Sequence, residues 1–185
     1  MPRPSGRNAI LEAAEKVVVR DGAAHLTLDS VAESAGLSKG GVLYHFPNKS
    51  ALLAAMLERL LAGYEERRCQ YLEEMHAHPD SDFQAELAAG LEERPETESR
   101  EVGAAILAVL ANEPALIAQG REFHARQFDR CCGEGLQDIQ KALLLLAMSG
   151  FHLLELMQLS PFGDEERARI RAHILAEGER ISPGE

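Results

Sequence analysis

Apolar residues recur every three or four positions through most of the chain, in stretches separated by glycine, proline and charged residues. This spacing is the period of an amphipathic α-helix, whereas a half-buried strand alternates with a period of two. The first helix is predicted over residues 8–20, with charged side chains opposite its buried stripe. That stripe consists of Ile10, Leu11, Ala14, Val17 and Val18. No stretch shows a convincing strand pattern, so the fold is predicted to be all-α.

Two short helices joined by a tight turn are predicted within residues 27–49. Thr27 is a candidate N-cap for the first one, because its hydroxyl can accept a hydrogen bond from a free backbone N–H. Gly36 is predicted to end that helix, since glycine readily adopts the left-handed conformation found after many helices. Ser38 can then cap the second helix, predicted over 38–45. The turn is about three residues long, which is typical of a helix-turn-helix.

The second of these helices carries residue types that suit close contact with DNA. Val42 and Phe46 are four positions apart and are predicted to anchor it to the preceding helices. Its outward residues are then Lys39, Gly40, Gly41 and Leu43. Each glycine costs a helix about 1 kcal/mol relative to alanine, so close approach to another surface explains the pair better than a purely structural role.

In a major groove, such a helix brings its side chains to the edges of the bases. Lys39 can reach the O6 and N7 atoms of a guanine, and Leu43 can contact a thymine methyl group. Tyr44, His45 and Lys49 supply hydrogen-bond donors suited to phosphate oxygens, which position a helix without reading sequence. Together these features predict a DNA-binding surface.

The same residues resemble the N-terminal domain of the TetR family of bacterial transcription regulators. The resemblance covers the first quarter of the chain and is carried by caps, glycines, aromatic residues and core positions at set offsets. These residues are Gly22, Thr27, Val31, Ala32, Ala35, Gly36, Leu37, Ser38, Gly40, Tyr44, His45, Phe46, Lys49 and Leu52. It implies base contacts by the outward residues named above, and phosphate contacts by Thr27, Tyr44, His45 and Lys49. Ser38 completes the predicted DNA-binding set.

The resemblance also implies how the whole chain is organised. Residues 1–49 would form a three-helix helix-turn-helix domain, and residues 50–185 a helical ligand-binding and dimerisation domain, with about nine helices in total. The expected molecule is a transcriptional regulator, with repression the commoner mode in the family. It would bind double-stranded DNA as a homodimer and be released by a small-molecule effector. Neither a cofactor nor a metal is expected.

Charge is distributed unevenly between these two parts. The chain of 185 residues has a formal net charge of −11, which by itself argues against a nucleic-acid partner. Residues 1–50 nevertheless carry +1, so that residues 51–185 carry −12. Such asymmetry keeps the C-terminal part away from phosphates and lets the N-terminal part approach them. A balance of +1 is weak, so DNA affinity should depend on two subunits acting together and should fall steeply with salt.

A long helix is predicted to follow, from Asn48 to about Met75, and would connect the DNA-binding part with the rest of the chain. The sequence after it, 76–80, reads His-Ala-His-Pro-Asp. Histidines and an aspartate at this spacing resemble part of a metal site, but a turn ending in proline is more often a solvated loop. Further helices are predicted over 83–93, over 102–111, from Pro114 toward Cys131, over 136–159 and over 164–181.

The helix over 136–159 is the most apolar in the chain. Its run 142–159 is long enough to span a bilayer, but His152, Glu155 and Gln158 recur in it at three-residue spacing. A carboxylate is costly in the middle of a bilayer, so burial against protein is favoured and no membrane partner is expected. A chain of this size has too few other helices to cover it, which predicts pairing with a second copy across a two-fold axis. The DNA site would then be a palindrome.

An effector pocket is expected among the long helix and the helices after it, as the TetR resemblance implies. Apolar walls with few polar groups suit a lipophilic or amphipathic compound. No buried basic cluster is apparent, so an anion is less expected. Candidate apolar or aromatic lining residues are Met56, Leu60, Tyr64, Phe83, Leu107, Phe123, Phe128, Phe151 and Met157. Candidate polar contacts are Tyr71, His124, Gln127, His152 and Glu155.

Other functions find less support. The sequence contains no Gly-rich phosphate loop, H-E-x-x-H, G-x-S-x-G or C-x-x-C motif, so an enzyme is not predicted. Three cysteines suggest a reducing, cytoplasmic compartment. The pair Cys131 and Cys132 leaves open an alternative, a regulator that responds to thiol oxidation or soft metals, although adjacent cysteines are poorly placed to bridge each other.

The first seven residues are predicted to form an arm. Its arginines, Arg3 and Arg7, either reach a neighbouring minor groove or belong to a disordered, solubilising tail, and the sequence does not decide between these readings. No apolar core follows the arm, so a secretory signal is not predicted.

Overall fold

The described part of the chain is almost entirely helical. A computed structural model describes residues 6–75, 80–92, 97–110, 113–133 and 138–181. Within these ranges there are nine α-helices, one 3-10 turn at Ala23–His25 and no strand. The helices are α1 Gly6–Asp21, α2 Leu28–Ala35, α3 Lys39–His45, α4 Lys49–Glu74, α5 Ser81–Leu91, α6 Thr97–Leu110, α7 Pro114–Cys132, α8 Ile139–Leu156 and α9 Asp164–Ile181. The predicted all-α class is confirmed.

Several helix ends are set by local capping groups that hydrophobic periodicity does not reveal. α8 starts later than predicted, because the Asp138 side chain caps it by accepting a hydrogen bond from the backbone N–H of Lys141 at 3.0 Å. α1 starts at Gly6, earlier than predicted, so Arg7 belongs to a helix and not to an arm. Parts of several predicted segments lie outside the described residues, among them residue 93 of the helix predicted over 83–93 and residue 111 of the helix predicted over 102–111. The others are positions 1–5 of the arm, 76–79 of the His-rich turn and 134–137 after α7, which include the first two residues of the helix predicted over 136–159.

The chain packs as two compact units. The first comprises Met1–Leu61 and Pro95–Gly120, and the second comprises Ala62–Arg94 and Arg121–Glu185. α4 therefore contributes residues to both units. The predicted domain boundary after residue 49 remains a prediction, because a packing unit can combine segments of more than one domain.

The first unit is built around α1, which packs against α2, α3 and α6. The stripe predicted for α1 is confirmed, since each of its five residues is at most 4% exposed. Val31 of α2 and Val42 of α3 are fully buried in the same core. The remaining large members of this core are Leu26, Phe46, Leu52, Leu53, Met56, Leu57, Val102, Ile106 and Leu116. Burial of this apolar surface holds the two short helices in place.

In the second unit, α5, α8 and α9 pack against one another. Their core consists of Phe83, Leu87, Leu91, Cys131, Cys132, Ala142, Leu145, Met148 and Ile174. Two glycines allow the helices to approach closely. A Cβ atom on Gly90 would overlap the Met148 side chain, and one on Gly178 would overlap the Leu87 side chain. This packing therefore requires small residues at particular positions of α5 and α9.

Candidate DNA-binding and effector sites

The turn between α2 and α3 is closed by three local hydrogen-bonded features. Thr27 caps α2, because its hydroxyl oxygen accepts a hydrogen bond from the Ser30 backbone N–H at 3.0 Å. In the other direction, the Ser30 hydroxyl oxygen accepts a hydrogen bond from the Thr27 backbone N–H at 3.0 Å. Gly36 ends α2 in the left-handed conformation, at φ 65°, which glycine adopts without a steric penalty. Ser38 caps α3 by accepting from the Gly41 N–H at 3.1 Å. The predicted caps and the short turn are confirmed.

α3 has one buried face and one exposed face. Val42 is 0% and Phe46 2% exposed, as predicted for the anchoring side. On the other side, Leu43 is 38% and Tyr44 85% exposed. Lys39, Gly40 and His45 are exposed as well, and Gly41 is half-buried. The structure thus places the predicted base-reading residues where another molecule can reach them.

The two glycines of α3 are not explained by packing within the described residues. A Cβ atom on Gly40 would lie 3.9 Å from Ser38 Oγ, and one on Gly41 would lie 3.5 Å from the same atom. Both distances are ordinary van der Waals contacts, so alanine would fit at either position. Since glycine lowers helix propensity, its presence here favours contact of the α3 backbone with an external surface.

The predicted phosphate contacts lie at the ends of the short helices. Thr27 and Ser38 are exposed at the N-termini of α2 and α3, and Lys49 is half-buried at the start of α4. Tyr44 and His45 end α3, with their rings in edge-to-face contact at 5.1 Å. These side chains carry hydroxyl, imidazole and ammonium donors, the groups that bind phosphate oxygens. Their role in DNA binding stays a prediction.

Lys39 has a partner that the sequence did not reveal. Its ammonium nitrogen lies 2.9 Å from Asp29 Oδ2, in the first turn of α2. In that position the Asp29 carboxylate also complements the dipole of α2. The ion pair with Lys39 arises because the tight turn brings the first turns of α2 and α3 together.

Arg7, predicted to belong to the arm, instead contacts the first unit. Its guanidinium lies 3.2 Å from Glu58 Oε2 and 5.5 Å from the centroid of the Phe46 ring. Arg59 extends the same surface by pairing with Glu15 at 3.5 Å. These contacts join α1 to α4 and to the end of α3, so they support the position of α3. Arg3 lies outside the described residues.

The predicted effector residues Tyr64 and Gln127 meet at a buried carboxylate, Glu86, which is 0% exposed. Tyr64 Oη donates to Glu86 Oε1 at 2.5 Å, and Gln127 Nε2 donates to the same oxygen at 2.8 Å. Arg130 Nη2 lies 2.8 Å from the other oxygen. Burial, together with the charge of Glu86, raises the pKa of the Tyr64 hydroxyl above its ordinary value, so the phenol stays protonated.

A second arginine completes this network. The Arg68 guanidinium is nearly buried and lies 2.6 Å from Glu65, 2.9 Å from Asp82 and 4.0 Å from Glu86. Its hydrogen bond to Glu65 raises the pKa of Arg68 above its ordinary value. Arg68 is the one basic residue that is buried among the described residues, since Arg130 is half-buried, so the expectation that no buried basic cluster exists stays a prediction. Three carboxylates nevertheless surround the two arginines, which gives the network a formal charge of −1.

Aromatic rings line one side of the network. The Phe123 ring contacts the Tyr64 ring edge-to-face at 5.5 Å and the His124 ring at 5.5 Å. His124 Nδ1 in turn lies 3.0 Å from Gln127 Oε1. Four predicted effector residues, Tyr64, Phe123, His124 and Gln127, thus come together with Glu86. We call this group the Glu86 cluster.

The remaining effector candidates do not join the Glu86 cluster. Those in the first unit are Met56, which is fully buried in its core, and the half-buried Leu60 and Leu107. In the second unit, Phe83 is buried, with Phe128 and Phe151 packed on the same core. Tyr71 donates to Glu92 at 3.3 Å, and Glu155 pairs with Arg167 at 2.8 Å. His152 and Met157 are exposed. Their part in effector binding stays a prediction.

Sequence reasoning missed Glu86, Arg68 and Arg130. The available signal was the position of Glu86 in α5, three residues after Phe83 and next to Leu87, on the face that periodicity predicts to be buried. A carboxylate on such a face has to be paired, because an unpaired buried charge is very costly. Its partners come from α4 and α7 and could not be identified from spacing alone.

The described residues give no support to the alternative in which Cys131 and Cys132 respond to oxidants or soft metals. Cys131 is 6% and Cys132 3% exposed, and burial raises the pKa of Cys131 to about 12 and that of Cys132 in the same direction. A thiol that stays protonated is a poor nucleophile and a poor metal ligand. Among the described residues, no group of three or more His, Cys, Asp or Glu side chains could hold a metal. A cavity of about 510 Å³ beside the pair is lined by Cys131, Cys132, Gly133, Asp138, Ile139, Gln140 and Lys141.

α8 exposes a row of large apolar side chains. Among the described residues, Ile139, Leu143, Leu146 and Leu153 of α8 and its C-cap Met157 are 40–60% exposed, and Leu154 is 37% exposed beside them. The spacing of the first five by three, four or seven positions puts them on one helix face, as in the seam of a helix bundle. By length and composition α8 could also cross a membrane, which is weak evidence because core helices pass the same test.

Two family models match the chain. The model described as "Bacterial regulatory proteins, tetR family" matches residues 10–56, which include α2 and α3. The model described as "Tetracyclin repressor-like, C-terminal domain" matches residues 83–177, about half of the chain. The second match includes α8 and the cluster residues Glu86, Phe123 and Gln127.

Three individual proteins, one compared by sequence and two by structure, are also similar to this chain. The HTH-type transcriptional regulator TtgR of Pseudomonas putida is 43% identical over 54 residues, which cover 29% of this chain and 26% of that protein. A transcriptional regulator from Rhodococcus sp. Rha1 has the same fold, with a TM-score of 0.74, 20% identity and coverage of 96% and 98% of the two chains. The multidrug binding protein EbrR complexed with ethidium has a TM-score of 0.64, 23% identity and coverage of 94% and 99%.

The exposed face of α3, the caps of the turn and the two family matches agree with one another. EbrR and the Rhodococcus regulator share the fold across nearly the whole chain. On this evidence the chain belongs to the TetR family and is a DNA-binding helix-turn-helix regulator of transcription.

Proposed function

We propose that the chain is a ligand-responsive repressor that binds a palindromic operator as a homodimer in the cytoplasm. The observation that carries this proposal is the geometry of α3. Val42 and Phe46 hold it on the first unit, while Lys39, Leu43 and Tyr44 lie on its exposed side. A major groove about 12 Å wide accommodates a helix presented in this way.

On the operator, the exposed side of α3 reads bases and its ends contact phosphates. Lys39 donates to a guanine edge, and Leu43 packs on a thymine methyl group. Gly40 and Gly41 let the α3 backbone approach the bases closely. The first fifty residues carry a charge of only +1, so a single subunit binds weakly and two are needed.

The exposed face of α8 supports the homodimer. Leu143 and Leu146 are 60% and 57% exposed in the single chain, which is unfavourable for a row of large apolar residues in water. A second copy related by a two-fold axis would cover the row with an identical row. Two-fold symmetry in turn calls for a palindromic operator, with half-sites about one helical turn apart.

Sedimentation equilibrium tests the dimer. Leu143→Glu places a charge in the interface and should shift the protein toward monomer by about 2 kcal/mol or more in dimer stability. Leu37→Glu makes the same change at another exposed leucine, 42% exposed in the turn after α2, and should leave the dimer intact. A dimer equally stable in both variants would contradict the proposed interface.

The Glu86 cluster supports an amphipathic effector. It combines the aromatic rings of Tyr64 and Phe123 with the polar groups of Gln127 and Glu86, a mixture suited to a flat compound with a polar group. The network of Arg68, Arg130 and three carboxylates around Glu86 has a formal charge of −1, which favours neutral or cationic compounds over anions. EbrR, which has the same fold, was crystallised with ethidium, a cationic aromatic dye.

Effector binding and DNA binding are proposed to be coupled through α4. Its first half contributes Leu52, Leu53 and Met56 to the core of the first unit, and its second half contributes Tyr64 and Arg68 to the network. An effector that prefers one position of Tyr64 therefore acts on a helix shared by both units. The operator is released only to the extent that the effector binds the two states with different affinity.

The DNA-binding part of the proposal is tested by selecting bound duplexes from a random pool, followed by mobility shift with the selected duplex. Lys39→Ala should weaken specific binding by about 1–3 kcal/mol per half-site, because a base contact is lost. Lys16→Ala removes the same charge from an exposed position of α1 outside the predicted DNA-binding residues, and should have a much smaller effect. Equal losses in both variants would contradict base reading by α3.

The effector part is tested by fluorescence titration with ethidium. Phe123→Leu removes a ring from the Glu86 cluster and should weaken ethidium binding, whereas Phe162→Leu, at an exposed ring outside the cluster, should not. Calorimetric titration of the same dye into the free protein and into its complex with the selected duplex then tests the coupling. The second titration is corrected by one into the duplex alone, because ethidium also intercalates into DNA. Identical affinities in the two conditions would reject it.

A further inference from the structure

We infer that Asp29 is a specificity-determining residue that restrains Lys39 until a matching base edge is available. The inference rests on the proposed DNA-binding function. Lys39 Nζ donates to Asp29 Oδ2 at 2.9 Å, across the tight turn between α2 and α3. The pair therefore sits on the side of the molecule that is proposed to face the operator.

The ion pair is positioned to open and close. The Lys39 side chain is 58% exposed and the Asp29 side chain 67% exposed. An exposed pair of this kind shifts an equilibrium by a factor of only about 1.5–5. DNA can therefore compete with Asp29 for Lys39. A DNA group displaces Asp29 only if its interaction with the Lys39 ammonium is more favourable than that of the carboxylate.

The few charged residues in 27–49 make the ion pair important for non-specific DNA binding. Within residues 27–49 the acidic side chains are Asp29 and Glu33, and the lysines are Lys39 and Lys49. The segment thus has no net charge apart from its single histidine, His45, at the end of α3. Restraining Lys39 therefore removes one of the two lysines with which residues 27–49 can bind phosphates non-specifically.

Specific and non-specific DNA differ in what they offer Lys39. Non-specific binding is driven by the neutralisation of phosphates and the release of their counterions. A lysine already paired with a carboxylate contributes little to this, and the carboxylate also repels nearby phosphates. A guanine edge offers two fixed acceptors, O6 and N7, in addition to the field of the backbone. Asp29 therefore penalises the wrong DNA more than the right DNA, which is how a repulsive element increases specificity.

A purely structural role for Asp29 makes a different prediction. As an acid in the first turn of α2, it stabilises that helix through the helix dipole. Loss of such a role would lower stability and would weaken binding to all DNA alike. The ratio of specific to non-specific affinity separates the two roles, because only restraint of Lys39 changes it.

The test compares Asp29→Asn with the wild type on two probes. One is the duplex that the wild type selects from a random pool, and the other is a scrambled duplex of the same length and composition. Affinity for the scrambled duplex should rise on the order of tenfold, since a dimer carries two such pairs. Affinity for the selected duplex should rise less, so the ratio falls several-fold. For non-specific binding, the slope of log K against log salt concentration should become more negative by about 1 to 2.

Three further variants distinguish the explanations. Glu33→Gln removes the same charge from an exposed position of α2 that forms no ion pair with Lys39 among the described contacts, and should raise both affinities equally. Asp29→Glu keeps the charge and should keep the wild-type ratio. In a Lys39→Ala background, Asp29→Asn should leave the ratio unchanged.

The inference is overturned if Asp29→Asn raises both affinities equally, as expected for Glu33→Gln. It is also overturned if Asp29→Asn changes the ratio of specific to non-specific affinity as much in the Lys39→Ala background as in the wild type. Failure of the proposed function looks different, because the wild type would then select no duplex from the pool. A wild type that selects a duplex, together with an unchanged ratio in Asp29→Asn, overturns the role of Asp29 alone.

Discussion

The caps of residues 27–49 join positions three apart in the chain, whereas the hydrogen bonds of Glu86 join positions 22 to 44 apart. The first region is a local structure that its own side chains close, and its functional residues face outward. The second is assembled from α4, α5 and α7, and its charged residues face one another. Sequence spacing can therefore describe the first region directly, while the second depends on which helices meet.

The helix-turn-helix and the Glu86 network also differ in the free energy that breaking their ion pairs costs. Lys39 and Asp29 are exposed, so opening their ion pair costs little and leaves both groups hydrated. Glu86 is fully buried, so removing one of its partners leaves a charge without water or a counterion. Substitutions in the helix-turn-helix should consequently change binding more than stability, and substitutions in the network should do the reverse.

Glu86→Ala should give the largest effect. It leaves Arg130, Gln127 and Tyr64 without their shared acceptor and should lower the free energy of unfolding by about 3–5 kcal/mol. Urea unfolding followed by circular dichroism at one protein concentration measures this. Glu66→Ala, at an exposed position of the same unit, should change stability by less than about 0.5 kcal/mol. Equal stability of the two variants would show that the network is not a buried charge cluster.

Gly178→Ala should destabilise the protein by about 1–3 kcal/mol, because the new methyl group overlaps the Leu87 side chain where α9 packs on α5. Gly120→Ala provides the matched control. A Cβ atom there meets nothing within 4 Å, so the higher helix propensity of alanine should stabilise α7 by up to about 1 kcal/mol. Thermal unfolding measures both. A change of the same sign in the two variants would contradict the close approach of α5 and α9.

Thr27→Ala tests the local region. Loss of the cap at the start of α2 should cost about 1 kcal/mol of stability, and it should also weaken DNA binding because α3 is positioned through α2. Thr27→Ser keeps the hydroxyl and should restore the stability measured by urea unfolding. If serine fails to restore it, the methyl group and not the cap is what matters.

Glu65→Gln should give the smallest effect, visible in the pH dependence of stability. The hydrogen bond from Arg68, together with the charge of Arg130, holds the pKa of Glu65 below its ordinary value of 4.5 in the folded protein. Its contribution is therefore present above about pH 4.5 and is lost as the pH falls through the lower folded-state value. The variant should lose less stability than the wild type in this acidic range, and Glu66→Gln should not. A wild-type pH profile in Glu65→Gln would contradict the pairing with Arg68.

The helix-turn-helix was predictable to the level of single caps. Thr27, Gly36 and Ser38 each act on a backbone group within three or four positions, so their roles follow from residue type and spacing. The buried side of α3 followed in the same way from Val42 and Phe46. The pairing of Lys39 with Asp29 did not, because it depends on the angle at which the turn sets α3 against α2.

The effector residues could be predicted only by residue type, and not by which of them lie together. Tyr64, Phe123, His124 and Gln127 were chosen as aromatic or polar residues on predicted helices, and the structure brings these four together. Met56 and Leu107 met the same criteria but belong to the first unit. Spacing within a helix gives the face on which a residue lies, but not the helix that this face meets.

The sequence by itself determined that the protein is all-α, that a capped helix-turn-helix lies near its N-terminus, and that α3 has an anchoring side and an outward side. These features depend on the period of the α-helix and on hydrogen bonds between near neighbours in the chain. Only the tertiary structure decided that Glu86 is buried between Tyr64, Gln127 and Arg130, and that Asp29 forms an ion pair with Lys39. Those contacts depend on how separate helices pack, and packing is set by the combined fit of many side chains that no local pattern specifies.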